Sequence, residues 1–355
     1  MVIFLNRHET ALQILAQGTV IPATTLALDD NRKFDEKHQR LLTRYYLEAG
    51  SGGVATAVHS TQFEIRDPKI NLFETVISTV SDEISRFEAE TGKVIVKVCG
   101  VCGPKEQAIR EAETAKKHGF DAVLLSPGGL IALSEDEMIE RTEAVAKVMP
   151  VIGFYLQQAV GGRVFSYDYW ARFAENENVV AVNCASFNRY TTQEVVRAVT
   201  FSSRADKIAL YTGNDDNIVI DLLTKYRYNK DGKEYVNHFR GGLLGHWSIW
   251  TANVVKMYEM LRNANASDEL LTLAAQVTDC NSAFFDTAHG FKGCIPGMHE
   301  VLRRQGLIKS ISCLNPEETL SEGQAEEIDR VYKMYPHLND DAFVKEFLKR
   351  HHEEV

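Results

Sequence analysis

Eight short runs of apolar, often β-branched residues recur along the chain, and their successive starts lie 27 to 41 residues apart. Near-continuous apolar runs are typical of strands that are buried on both faces of a parallel sheet. The spacing leaves room for a helix of ~12 residues between successive strands. The predicted strands are residues 19–25, 53–58, 94–99, 121–126, 150–155, 179–185, 207–212 and 241–246.

The segments between these runs carry helix signals. Pro104 stands at the first-turn position of a segment that stops at Gly119, and Ser134 begins the capping-box sequence SEDE. Strands that alternate with helices in this way predict an α/β fold, a (β/α)8 TIM barrel. A doubly wound sheet is the structural alternative, but the first run lacks the GxGxxG turn that such folds use for dinucleotides.

The expected organisation is a barrel over residues 1–251, followed by a helical C-terminal region over residues 252–355 that packs on the barrel. No strand pattern occurs beyond residue 252, and several amphipathic segments there favour helices. The polar stretch 226–240 contains the turn sequence NKDG and is interpreted as an insertion into the barrel.

The charge of the chain limits its partners. It carries 39 Lys and Arg against 49 Asp and Glu, a formal net charge of −10, which disfavours nucleic acid and anionic membrane surfaces. No apolar run reaches the ~18 residues of a membrane span, and the N-terminus shows no signal-peptide pattern. Its six cysteines are too sparse for a disulfide framework. We therefore expect a cytoplasmic protein whose partner is a small molecule.

Polar residues at the carboxyl ends of the predicted strands could form a site, because barrels bind their ligands at that end. These residues are His59, Ser60 and Thr61 after the second strand, Lys97 in the third, Tyr155 in the fifth, Asn183 in the sixth, Asp215 after the seventh and His246 in the eighth.

Four of the corresponding segments are distinctive: GVATAVHSTQFE, PVIGFYLQQAVGGRVFSYDYWARFAE, NVVAVNCASFN and TGNDD. They resemble, in this order along the chain, the strand-two loop, strand five, strand six and the strand-seven loop of the dihydrodipicolinate synthase / N-acetylneuraminate lyase family. The resemblance runs from about residue 19 to about residue 335. It implies a barrel with lyase or aldolase chemistry on oxo acids, assembled as a homo-oligomer, a dimer or a tetramer.

The departures from the family pattern are as informative as the matches. Asn183 occupies the position of the family's Schiff-base lysine, and an amide has no amine that could form an iminium. The resemblance implies Tyr155 as the tyrosine that relays protons. It also implies His59 and Ser60 in place of the hydroxyl groups that hold an oxo-acid carboxylate. Two glycines at 128–129 replace the aromatic pair through which family subunits meet.

Several of these residues have a second interpretation. Lys97, inside the third predicted strand, could supply the missing amine if burial lowers its pKa, or it could be a strand-end lysine that reaches solvent. Asn183 could hydrogen-bond a substrate oxygen or be a polar remnant without a role. His59 and His246 could act as bases near neutral pH or be hydrogen-bonded structural residues.

The sequence therefore predicts a divergent lyase or aldolase that acts on a small oxo acid or sugar-derived compound and is not an authentic dihydrodipicolinate synthase. The expected catalytic residues are Tyr155, Lys97 and Asn183. The expected substrate-binding residues are His59, Ser60, Thr61, Asp215 and His246.

A catalytically inactive metabolite-binding barrel and a metal-assisted lyase stay open as alternatives. No cofactor is expected, a divalent metal being the alternative, and the Cys99-Gly-Val-Cys102 spacing is a weak signal for metal or redox chemistry.

Overall fold

The computed structural model describes residues 6–351, in which strands and helices alternate as predicted. The strands are β1 (Val20–Pro22), β2 (Gly53–Thr56), β3 (Val96–Val101), β4 (Ala122–Leu125), β5 (Val151–Leu156), β6 (Val179–Ala185), β7 (Ala209–Thr212), β8 (Tyr226–Lys230), β9 (Lys233–Asn237) and β10 (Phe239–Leu244). Strands β8 and β9 form a separate antiparallel hairpin. The other eight strands belong to a (β/α)8 barrel with additional C-terminal helices, which confirms the predicted fold class.

The helices fill the predicted intervals. They are α1 (Arg7–Gln17), α2 (Glu36–Glu48), α3 (Phe73–Thr91), α4 (Lys105–Lys117), α5 (Glu135–Ala146), α6 (Tyr167–Ala174), α7 (Arg189–Phe201), α8 (Ile218–Leu223), α9 (Thr251–Leu261), α10 (Asp268–Phe284), α11 (Cys294–Gln305), α12 (Gln324–Met334) and α13 (Asp341–Arg350). The SEDE sequence forms the expected capping box, in which the Ser134 side chain accepts from the Glu137 N–H. Between residues 6 and 351, no helix is both long and apolar enough to cross a membrane.

The chain forms two compact units, each assembled from two separate segments. The first unit comprises residues 6–19 and 96–243, and the second comprises residues 20–95 and 244–351. In the first unit β3, β4, β5, β6, β7 and β10 pair in that order, all parallel. In the second unit β1 and β2 are neighbours, and a parallel bridge joins Ala23 to Ala55. The predicted division at residue 251 stays a prediction.

The core of the second unit is rich in aromatic side chains from its helices. The Trp250 ring lies 4.9 Å from the Phe284 ring and 5.0 Å from the Tyr332 ring, both edge to face. Beside it, the buried Asp340 carboxylate accepts hydrogen bonds from the Tyr45 hydroxyl at 2.6 Å and from the Ala252 N–H at 2.9 Å. This carboxylate connects α2, α9 and the start of α13.

Most barrel strands differ from their predicted boundaries by one to three residues, and the differences at β3 and β10 concern residues of the predicted site. Strand β3 covers Val96–Val101 rather than 94–99, since the N–H of Ile95 donates to the side chain of Glu88 and not to a neighbouring strand. Strand β10 ends at Leu244, and His246 lies in a short helical turn, His246–Ser248. The apolar runs continue past the ladder at these ends, so hydrophobicity alone does not mark the boundary. Residues 1–5, part of the N-terminus in which no signal-peptide pattern is found, lie outside the described residues. The same holds for residues 352–355 of the predicted C-terminal helical region.

Candidate active site

The two faces of strand β5 have different neighbours. A Cβ added to Gly153 would lie 2.6 Å from the ring of Phe173 on α6, so Gly153 faces the helices. Side chains alternate along a strand, and Tyr155 therefore faces the helices too, whereas Phe154 points to the opposite face. We call that opposite face the inner face, because in a (β/α)8 barrel it lines the interior.

Tyr155 is part of an aromatic cluster on the helix-facing side. Its ring lies 5.3 Å from the Trp170 ring and 5.9 Å from the Phe165 ring, and its hydroxyl accepts the Phe165 N–H at 3.3 Å. Burial raises the pKa of the phenol. The proton-relay role of Tyr155 stays a prediction, and this orientation does not favour it.

Asn183 lies on the inner face, near the carboxyl end of β6. It is the register partner of Phe154, and partners in a parallel ladder share a face. Its side chain is 1 % exposed, and its Nδ2 donates to the Leu243 carbonyl at 3.2 Å. Its Oδ1 has no hydrogen-bond partner among residues 6–351. A Cβ added to Gly213 would lie 2.9 Å from that oxygen, so the Asn183 side chain occupies the room that any larger residue at position 213 would need.

Lys97 is not close to either residue. It is the second residue of β3, and the ladders place Cys99 level with Val123 and with Val151. Lys97 lies two residues before that level and Tyr155 four residues beyond it, a separation of ~20 Å along the strands at ~3.3 Å per residue. A lysine side chain cannot span this distance. Lys97, predicted inside the strand, therefore lies toward its amino end, and its catalytic role stays a prediction.

Asp215 follows β7 in a loop that is organised by a different acid. Asp221 on α8 is fully buried and accepts from Thr212 Oγ1 at 2.7 Å, Asn214 Nδ2 at 2.9 Å and Arg189 Nη1 at 2.5 Å. Asp215 itself is 8 % exposed beside this network. The sequence analysis missed Asp221, whose only signal was one acid in the otherwise apolar helix IVIDLL.

The same network fixes the loop after β6. The Oδ1 of Asn214 accepts the N–H of Phe187 at 3.0 Å, and Phe187 adopts a left-handed φ of 51°. Non-glycine residues rarely adopt this conformation, and they do so where the surrounding contacts require it. The carboxyl ends of β6 and β7, next to Asn183, are therefore held in one arrangement.

In the second unit, the hydroxyl groups of the strand-two loop are already engaged. Ser60 Oγ donates to the Ala23 carbonyl at 2.7 Å, and Thr61 Oγ1 donates to the Thr24 carbonyl at 2.7 Å. Each hydroxyl has one proton to donate, so neither can also donate to a substrate carboxylate without giving up its bond. Substrate binding by these residues stays a prediction.

Two histidines of the predicted site, both in the second unit, differ in exposure. His59 is half-buried in a short helical turn after β2, 5.7 Å from the Phe63 ring, and burial lowers its pKa to about 4. His246 is 3 % exposed and its Nδ1 pairs with Asn281 Oδ1, while burial lowers its pKa to about 4. Both imidazoles are therefore neutral at pH 7. The accessible His59 is better placed to meet a ligand than the enclosed His246.

The cysteines and acids form no evident metal centre. All six cysteines are free, including Cys99 and Cys102. Over residues 6–351, no three His, Cys, Asp or Glu side chains come together in a way that could hold a metal ion. The expectation that no cofactor is needed stays a prediction.

Comparison with known proteins identifies relatives of this fold. The model of the dihydrodipicolinate synthetase family matches residues 16–334, whereas no curated protein matches the chain. A dihydrodipicolinate synthase from Oceanobacillus iheyensis aligns with 94% of this chain and 100% of its own, with a TM-score of 0.74 and 14% identity. An N-acetylneuraminate lyase from Fusobacterium nucleatum, complexed with pyruvate, aligns with 90% of this chain and 97% of its own, with a TM-score of 0.70 and 16% identity. A third structure, from Clostridium difficile in complex with mannosamine, has a TM-score of 0.69 at 14% identity, with 90% of this chain and 99% of that chain covered.

Proposed function

This chain belongs to the dihydrodipicolinate synthetase family, and from that premise we propose that it is a divergent lyase or aldolase. It acts on a small oxo compound that also carries a hydroxyl group, held by Asn183 through a hydrogen bond. The observation that supports this is the Asn183 Oδ1, a buried acceptor without a partner among residues 6–351. Leaving such an acceptor unpaired costs about 1–3 kcal/mol, so the site favours a ligand that donates to it.

The chemistry of an amide sets the kind of binding. A primary amine attacks a carbonyl carbon and forms an imine, whereas the amide of Asn183 can only donate or accept hydrogen bonds. Its Nδ2 is already bonded to a carbonyl, which leaves the Oδ1 for a hydroxyl of the ligand. The mannosamine in one related structure carries hydroxyl groups and supports sugar-derived compounds as the ligand class to test. The pyruvate in another has a reactive carbonyl but no hydroxyl, so it serves as the probe for amine chemistry at position 183.

Borohydride trapping with pyruvate, read by intact mass, tests the proposal. We expect no adduct on the wild-type chain and an adduct on Asn183→Lys, which places an amine at the family's lysine position. Asn183→Leu, which has similar volume and no amide, is the matched control and should give none. A wild-type adduct that maps to Lys97 would overturn the proposal. So would a folded Asn183→Lys protein that gives no adduct, since Asn183 would then not face the ligand.

A second candidate is a metabolite-binding barrel without catalysis. The orientation of Tyr155 toward α6 favours it, as does the position of Lys97 at the amino end of β3, because the first unit places neither group beside Asn183. Binding of mannosamine or pyruvate without turnover of any 2-oxo acid would identify this function. Turnover that is lost on chelation and restored by a divalent cation would instead identify the metal-assisted lyase.

The remaining expectations are part of the same proposal. We propose a small-molecule partner, assembly into a homo-oligomer and a cytoplasmic location. The net charge of −10 supports a protein that avoids nucleic acid and anionic membrane surfaces.

A further inference from the structure

A cavity of ≈ 380 Å³ lies in the second unit, between the loops that follow β1 and β2 and the segment that precedes α12. It is unrelated to the residues on which the proposed function depends. Its wall combines two cations with four apolar side chains: Arg32, Lys33, Phe34, Ile70, Leu72 and Leu314.

The two cations have no acidic partner. Neither the Arg32 guanidinium nor the Lys33 ammonium lies within ion-pair distance of a carboxylate in residues 6–351, and the lining includes no acid. The Oδ1 of the nearby Asp29 accepts the backbone N–H groups of Asn31 and Lys33, both at 2.8 Å. Although residues 29–36 also carry four acids, Arg32 and Lys33 are the charged side chains of the cavity wall, and each can donate hydrogen bonds to an anion.

The cavity wall is held in place by contacts between its three segments. Arg32 Nε donates to the Cys313 carbonyl at 3.1 Å, and Gln62 Oε1 accepts the Leu314 N–H at 2.5 Å. Arg32, Gln62 and Asn71 all adopt left-handed φ values, of 58°, 67° and 49°. Strained residues of this kind persist where the surrounding structure requires them, and they cluster at ligand-binding positions.

We propose that this cavity binds a small organic anion. A carboxylate or phosphate group accepts charge-assisted hydrogen bonds from Arg32 and Lys33, which are stronger than hydrogen bonds between neutral groups. The apolar body of the ligand lies against Phe34, Leu72 and Leu314, as in most small-molecule sites, which combine an apolar lining with a few polar anchors. Both loops follow the carboxyl ends of strands, the end at which this fold binds ligands.

Titration calorimetry with benzoate, phenyl phosphate, inorganic phosphate and benzamide tests the proposal on the full chain. Benzoate or phenyl phosphate should bind saturably, and the tighter of the two identifies the anionic group. Inorganic phosphate should bind at least 10-fold more weakly because it lacks an apolar body, and neutral benzamide should not bind. Raising the salt concentration should weaken the binding of the anions.

Variants then locate the binding. Lys33→Met and Arg32→Gln should each weaken the preferred anion at least 10-fold. The matched control is Lys93→Met, which removes one exposed lysine of the same unit from the loop before β3. It should bind as the wild type does. Equal affinity in Lys33→Met and Lys93→Met would overturn the proposal, as would inorganic phosphate binding as tightly as the aromatic anions, or benzamide binding as tightly as benzoate.

Discussion

Tyr155 on β5 lies one residue further along the β5–β6 ladder than Phe154, the partner of Asn183. The side chains of Tyr155 and Asn183 therefore lie on opposite faces of the sheet. Asn183 pairs with Phe154, and Tyr155 pairs with Cys184. The tyrosine consequently contacts Trp170, while the asparagine lies beside Gly213. Which residue can meet a ligand therefore depends on the face of the strand as much as on its sequence.

We predict that Tyr155→Phe lowers the free energy of unfolding by about 1 kcal/mol or less, because the ring packing is kept and only the hydrogen bonds of the hydroxyl with the Phe165 N–H and Thr191 are lost. Ligand binding should be unchanged, since the hydroxyl faces the helices. Denaturant unfolding and the pyruvate and mannosamine binding assays would measure both. A general acid–base role predicts instead that turnover falls by ~10²–10⁴-fold, and a loss of that size would contradict the orientation described above.

The orientation of Tyr155 could not be predicted from the sequence. Asn183 can be identified as the residue in the lysine position because its segment NVVAVNCASFN resembles strand six of the family. In a strand buried on both faces, however, apolar residues occupy both sides. The sequence then shows no alternation of polar and apolar residues that would tell which side chains face the barrel interior and which face the helices. Only packing against Phe173 and Trp170 determines the face, and those contacts form between separate elements.

At the scale of elements, Asp340 is the residue on which the C-terminal helices most depend. It is 3 % exposed, and its carboxylate accepts from Tyr45, Ala252 and Gln305, which belong to α2, α9 and α11. Burial raises the pKa of this carboxyl. Its removal would leave a buried hydroxyl and a buried N–H without an acceptor.

We predict that Asp340→Ala lowers the free energy of unfolding by about 2–4 kcal/mol, because buried donors then pay the full cost of desolvation. Asp341→Ala is the matched control. Its carboxylate is exposed and also accepts from Gln305, so the change should cost about 0.5 kcal/mol or less. Urea unfolding of both variants measures the difference, and equal losses would show that burial of Asp340 is unimportant.

The elements were predictable where local signals were strong. Eight apolar runs predicted eight barrel strands, and the capping box of α5 was visible as SEDE. The boundaries of β3 were not predictable, because Ile95 is apolar but bonds to Glu88 outside the ladder. The buried Asp340 was not predictable either, since its partner Tyr45 lies 295 residues away in the chain.

For the whole molecule, buried neutral histidines make stability depend on pH. Burial lowers the pKa of His59, His246 and His299 to about 4, from an ordinary value of 6.5. The unfolded chain therefore binds three protons that the folded chain does not between about pH 6.5 and 4. Stability is fully present above this window and is lost as the pH falls through it.

We predict that the free energy of unfolding decreases by at most about 4 kcal/mol per pH unit in the lower part of this window, with one pKa unit worth about 1.4 kcal/mol for each histidine. Urea unfolding at pH 7, 6 and 5 measures the slope. His299→Gln removes one of the three protons and should reduce the slope by about a third. A stability that is constant from pH 7 to 5 would show that these histidines are not held neutral.

Because the second unit is assembled from two distant segments of the chain, it cannot be completed until late in protein synthesis. The ribosome releases Tyr45 long before Asp340, and the 295 residues between them take about 15–60 s to synthesise at ~5–20 residues per second. During that interval α2 can pack against α3, but Tyr45 lacks the Phe343 and Phe347 rings of α13, which lie beside it in the folded protein. The nascent chain thus carries one part of α2 uncovered until α13 is made, and a chaperone that shields such surfaces would raise its yield.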